Sequence, residues 1–166
     1  DVDSVTNLPA PLIKYTIPDT NKISTVSKKE YFLNAATDWY CILSGYPAAT
    51  SFVDNIYENI LQNKNLVIVG IPFSGKTTLL MQLAASFNSR EAKLKLFLSN
   101  ATPQQARQIV NNIGNKPAIV FIDDFSNDIE AAGIFMERQN IRVVCADSDY
   151  VFETSKHLVE NIDYKK

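Results

Sequence analysis

Gly70-Ile71-Pro72-Phe73-Ser74-Gly75-Lys76-Thr77 is the stretch on which the fold turns, and Leu66-Val67-Ile68-Val69 just before it is an unbroken apolar run. The eight residues match G-x-x-x-x-G-K-[ST], a loop in which a buried strand stops, turns tightly and launches a helix. Successive backbone N–H groups then converge on an anion at the helix's positive end. Gly70 permits the turn, Gly75 lets the main chain approach phosphate, and Pro72, Phe73 and Ser74 complete the loop. Lys76 has the reach for the β- and γ-phosphates of a nucleoside triphosphate, and the Thr77 hydroxyl suits the magnesium that bridges them. Thr78 is counted with this binding set. Downstream, Leu79, Leu80, Leu83, Ala84 and Phe87 fall on one face of the expected helix.

A triphosphate site also needs a carboxylate for its metal. Ala118-Ile119-Val120-Phe121-Ile122-Asp123-Asp124 supplies one, as a Walker B strand. Asp123 leaves the sheet at its carboxyl edge, where α/β sheets bind ligands, so it can hold magnesium directly or through water. Asp124 occupies the position of the acid that polarises the attacking water in many ATPases of this type. The plainer alternative is that the pair ends a strand and caps the next helix.

With 166 residues, 46% of them apolar, the chain can bury one α/β core. Net charge is −2, and among sixteen scattered cations only Lys28-Lys29 and Lys165-Lys166 are adjacent, so no nucleic-acid footprint is visible. The four arginines, Arg90, Arg107, Arg138 and Arg142, are few for an enzyme that must clamp a phosphorylated acceptor. Cys41 and Cys145 lack metal-ligand spacing and read as reduced core residues of a cytoplasmic protein, and His157 reads as a surface imidazole. No apolar run reaches the length of a membrane span.

A strand, loop, helix rhythm from residue 65 onward predicts strands at 66–70, 94–98, 118–122 and 141–146. Thr102 to Gln105 forms a capping box opening a helix that Gly114 stops, and Asn127 with Glu130 suits a cap on the next. Upstream, the box Ser27 to Glu30 opens a helix with Tyr31, Ala35, Trp39 and Ile42 on one face, ending at Gly45. A second helix after Tyr46-Pro47 turns Val53, Ile56, Tyr57, Ile60 and Leu61 inward. Tyr46 suits stacking on a base, with ordinary packing the simpler reading. The expected organisation is an extended arm over 1–26, a helical pair over 27–64 and a nucleotide-binding core over 65–166. That core is expected to be a three-layer P-loop fold with a mostly parallel sheet, which takes the order 1-4-3-2 if it follows the arrangement typical of P-loop ATPases whose Walker A and Walker B strands are separated by an inserted strand. A fifth strand would flank the first but none is evident, so the expectation is a core cut short at its carboxyl end, or an edge covered by Lys14 to Ile17.

The combination of Leu66 to Thr77 with Ile119 to Phe125 resembles the STAND class of signal-transducing ATPases, whose Walker B commonly ends in paired aspartates. Val143 to Tyr150 is similar to the fourth-strand end of bacterial members that follow an effector domain, and Tyr40 to Ile60 fits their entry helices. The likeness spans roughly residues 28–160. It implies a switch that binds ATP and Mg2+, hydrolyses slowly, and uses occupancy to control oligomerisation within a larger signalling or antiviral defence protein. Its partners would be the nucleotide, other domains of the parent chain and further copies of itself. Ser148 stands where such switches often carry a γ-phosphate-sensing arginine. A guanine-reading Asn-Lys-x-Asp tetrad is absent, which favours adenine. Two alternatives stay open: a small-molecule or nucleoside kinase, and a nucleotide-binding scaffold without turnover.

Overall fold

The computed structural model describes residues 9–18, 27–34, 37–48, 51–62, 65–87 and 94–159. Ala35, Arg90 and the carboxyl-terminal lysine pair lie outside them.

The apolar runs become four parallel strands: β1 (Asn65–Gly70), β2 (Leu94–Leu98), β3 (Ala118–Asp123) and β4 (Ile141–Ser148). They lie in the order β1-β4-β3-β2, as the sequence predicts. The register sets Asn65 to Gly70 against Val143 to Ser148, and Ala118 to Asp123 against Ile141 to Ala146. Such a sheet is covered on both faces, which is why its strands read as continuous apolar runs rather than alternating ones; every residue of β3 is buried.

Residue alternation sends two cores to opposite faces. On one, Ile119, Phe121, Val144 and Ala146 pack with Leu80, Leu83 and Ala84 of α5 (Lys76–Ser86), with Phe87, and with Ile60 of α4 (Phe52–Gln62). On the other, Val120, Ile122, Val143 and Cys145 meet Ile109 and Ile113 of α6 (Pro103–Ile113) and Phe135 and Met136 of α7 (Ile129–Met136). The result is a helix, sheet, helix sandwich with the fold of a P-loop NTPase. Thr102 and Gln105 close the expected capping box, and Gly114 ends α6 at φ 60°. β4 leads directly into α8 (Asp149–Ser155), whose Phe152 packs on Phe125 with ring centres 5.9 Å apart.

Several local expectations give way. The single helix expected from Ser27 to Gly45 is two, α2 (Lys28–Asn34) and α3 (Trp39–Leu43). Ser27 and Glu30 form the expected box, at 2.8 and 3.2 Å. Asp38 then starts a new helix instead of continuing the first, because its carboxylate accepts from the Cys41 N–H at 2.8 Å. Leu61 is 45% exposed, so the buried side of α4 stops at Ile60. Asn127 and Glu130 are engaged elsewhere: a 3-10 turn over Phe125–Asp128 precedes α7, Asn127 reaches Asn100, and Glu130 pairs with Arg107 at 3.2 Å.

Lys14 to Ile17 does not guard β1. Thr16 instead bridges antiparallel to Leu96, and the Phe97 N–H donates to the Tyr15 carbonyl at 2.8 Å, so this segment covers the opposite edge, β2. It is brought there by α1 (Ala10–Ile13), whose Leu12 is fully buried in the α6 and α7 core.

Candidate functional site

Parallel strands discharge their chains at one rim, and that rim gathers the residues picked out in the sequence. Gly70 ends β1 opposite Ser148 at the end of β4, while Asp123 ends β3 opposite Ala146. From Gly70 the chain loops through Ile71 to Gly75, all of it exposed, and enters α5 at Lys76. Gly75 is the helix N-cap in the left-handed region, φ 85°, with no side chain capping the first turn. The N–H groups of that turn are therefore open to an anionic ligand. Phe73 adopts φ 62° with its ring fully exposed, an uncommon backbone for an aromatic residue and one that helps curl the loop. Pro72 and Ser74 are exposed beside it.

The Lys76 ammonium lies along the inside of this curl, donating to the carbonyls of Gly70 at 3.1 Å and Ile71 at 2.7 Å. The Thr77 hydroxyl shares a hydrogen bond with the Asp123 carboxylate, which joins the start of α5 to the end of β3. Asp123 is only 7% exposed. Burial pushes its carboxyl above the usual carboxylate value; the Thr77 bond works the other way, and the charge of Asp124 adds to the rise. Thr78 meets the Thr37 hydroxyl at 3.3 Å, tying the loop helix to the segment ahead of α3.

Asp124 is exposed and turns the chain in a left-handed conformation, φ 47°. It shares a narrow cleft with Asp123, Asn127, and Ser99 and Asn100 from the end of β2. Behind it, the buried Asp147 carboxylate accepts the backbone N–H of Ser126 at 2.8 Å, the Ser126 hydroxyl, and the Ser148 N–H at 2.6 Å. Ser99, Asn100, Ser126 and Asp147 had no role in the sequence reading. The available signal was positional: each lies at or just beyond the carboxyl end of a strand.

Other residues go elsewhere. Tyr46 packs against Tyr31 and Tyr40, each with ring centres 5.9 Å away, which is the ordinary packing the sequence also allows. Arg107 pairs with Glu130, and Arg142 lies near the start of β4, at the end of the sheet opposite the rim. Cys41 and Cys145 are buried free thiols, both pushed up by desolvation, and His157 is exposed. No helix among the described residues is long and apolar enough to cross a membrane.

The donor set fits a nucleoside phosphate with a hard divalent cation: an uncapped helix start and an ammonium for phosphate, and a hydroxyl and carboxylate oxygen in mutual contact for the metal. A family model described as Novel STAND NTPase 5 matches residues 29–156. No curated protein matches the chain.

Proposed function

Because this chain belongs to the STAND NTPases, in the family described as Novel STAND NTPase 5, it is a nucleotide-binding NTPase module, and we propose that its nucleotide is ATP with Mg2+. On this reading it hydrolyses ATP slowly and uses occupancy to control other domains of a larger cytoplasmic signalling or antiviral defence protein, through nucleotide-dependent association of copies. The observation that carries the proposal is that Gly70 and Asp123 end their strands on one rim, on either side of the end of β4, so that the phosphate loop with Lys76 and the acidic strand end lie on the same edge of the sheet.

In this mechanism the N–H groups at the start of α5 and the Lys76 ammonium hold the β- and γ-phosphates. Thr77 and Asp123 would hold the magnesium ion, which neutralises phosphate charge when bound. Asp124, exposed at the lip of the cleft, accepts a proton from the attacking water and orients it. Asn100 and Asn127, which meet at 3.4 Å beside it, supply further polar groups to the same cleft.

Titration calorimetry with Mg-ATP and phosphate-release assays test this directly. Lys76→Ala abolishes binding, and retained affinity would remove the phosphate-loop role altogether. Asp124→Asn keeps affinity but lowers hydrolysis by roughly a hundredfold or more, the range typical of a lost general base. Turnover that appears only after a nucleoside or sugar acceptor is added would replace the switch with a kinase.

A further inference from the structure

Asp147 is a charged group that the mechanism above leaves unused, and it is 5% exposed. It is the penultimate residue of β4, on the face opposite Thr77: Cys145 and Val143 before it pack towards α6 and α7, whereas Ala146 and Val144 pack towards α5. Among the described residues the three hydrogen bonds that hold it come from neutral donors, two of them from Ser126 in the 3-10 turn after Asp124. A buried carboxylate is expensive to desolvate, so a single residue gripped by two of its bonds is held firmly.

The consequence falls on Asp124. Asp123 is fixed as the last residue of β3, Ser126 is fixed by Asp147, and Phe125 between them is buried against Phe152. Asp124 is thus the one exposed residue in a step pinned at both ends. Its left-handed backbone, uncommon for a residue with a Cβ, is what this pinning enforces. Freed at Ser126, the step could relax towards the right-handed region and swing the Asp124 carboxylate away from Asp123.

We propose that Asp147 is a positioning residue which, through Ser126, aims the Asp124 carboxylate at the water it activates; this rests on the reading of Asp124 as the base. An amide at 147 is not equivalent. The carboxylate uses one oxygen for both Ser126 donors and the other for the Ser148 N–H, whereas asparagine has one acceptor oxygen and must set its NH2 against one of them.

The test is single-turnover ATP hydrolysis beside equilibrium Mg-ATP binding, on the whole chain, for Asp147→Asn, Ser126→Ala, the double variant and Asp124→Asn. Ser126→Ala removes one hydroxyl and spares the core. Each single change at 126 or 147 slows hydrolysis roughly ten- to a hundredfold, the scale of an ångström-level misplacement, and affinity shifts less than about twofold. The double variant is no slower than the slower single, because both act through one contact. Unchanged hydrolysis in Ser126→Ala and Asp147→Asn, with turnover lost in Asp124→Asn, overturns this inference and leaves the base intact. A parallel fall in rate and affinity also overturns it, as that marks general damage to the fold. Turnover that survives Asp124→Asn, or is missing from the unaltered chain, overturns the base reading and this inference together.

Discussion

Gly70 and Gly75 are the same residue type in one loop, yet the backbone asks different things of them. Gly75 sits at φ 85°, and a Cβ there would meet nothing within 4 Å, so the burden of alanine is purely conformational. Gly75→Ala should lower stability by about 1–2 kcal/mol in urea unfolding of the nucleotide-free protein. Gly70 has no positive φ, and an added Cβ would come 3.2 Å from the Ser74 hydroxyl oxygen and 3.6 Å from Cδ of Lys76. Both belong to side chains that can shift, so Gly70→Ala should lose less stability, and its effect should fall on the seat of Lys76. Equal losses from the two changes would contradict this division. The glycines and the lysine were legible from spacing alone. The left-handed backbone at Phe73 in the loop and at Asp124 after β3 was not, because positive φ in a residue with a Cβ follows from surrounding contacts.

At the scale of the element, two helix starts were readable as four-residue patterns, Ser27 to Glu30 and Thr102 to Gln105. The Thr102 hydroxyl accepts from the Gln105 N–H at 3.3 Å, and the Gln105 carboxamide accepts from the Thr102 N–H at 3.0 Å, as a four-residue pattern predicts. Thr102→Ala should therefore cost about 1 kcal/mol in thermal or urea unfolding, and Thr102→Ser should recover most of it; no recovery would mean that packing of the threonine methyl matters instead. The same local logic explains the misreading at Asp38. A side chain able to cap competes with helix propagation, and the choice depends on where the next turn packs. Here Trp39 sits edge-on against Phe97 of β2 with ring centres 5.0 Å apart, a contact 58 positions away in sequence that favours a fresh helix. Asn127 and Glu130 were drawn elsewhere for a related reason: Asp147 holds Ser126 in a tighter turn, and Glu130 pairs with Arg107 on the neighbouring helix.

For the whole molecule, the two outer edges of the sheet are treated differently. The edge of β2 is covered through the Thr16 bridge, whereas β1 pairs with β4 alone among the described residues. Leu12 anchors the covering segment by full burial, so Leu12→Ala should cost about 2–5 kcal/mol in chemical denaturation although it lies in a stretch whose sequence reads as an arm. A loss near zero would show that the segment docks without contributing to the core. What the sequence by itself determined were features set by neighbours along the chain, the four strands as apolar runs and the phosphate loop by its glycine spacing, while the order β1-β4-β3-β2 followed from the arrangement typical of P-loop ATPases. Tertiary structure alone decided which edge residues 14–17 cover, that Thr77 bonds Asp123, and that Asp147 grips Ser126 from behind the site. Each of these joins groups far apart in sequence, and hydrogen-bond partners at that separation are selected by strand register and layer packing, which no local window of residues encodes.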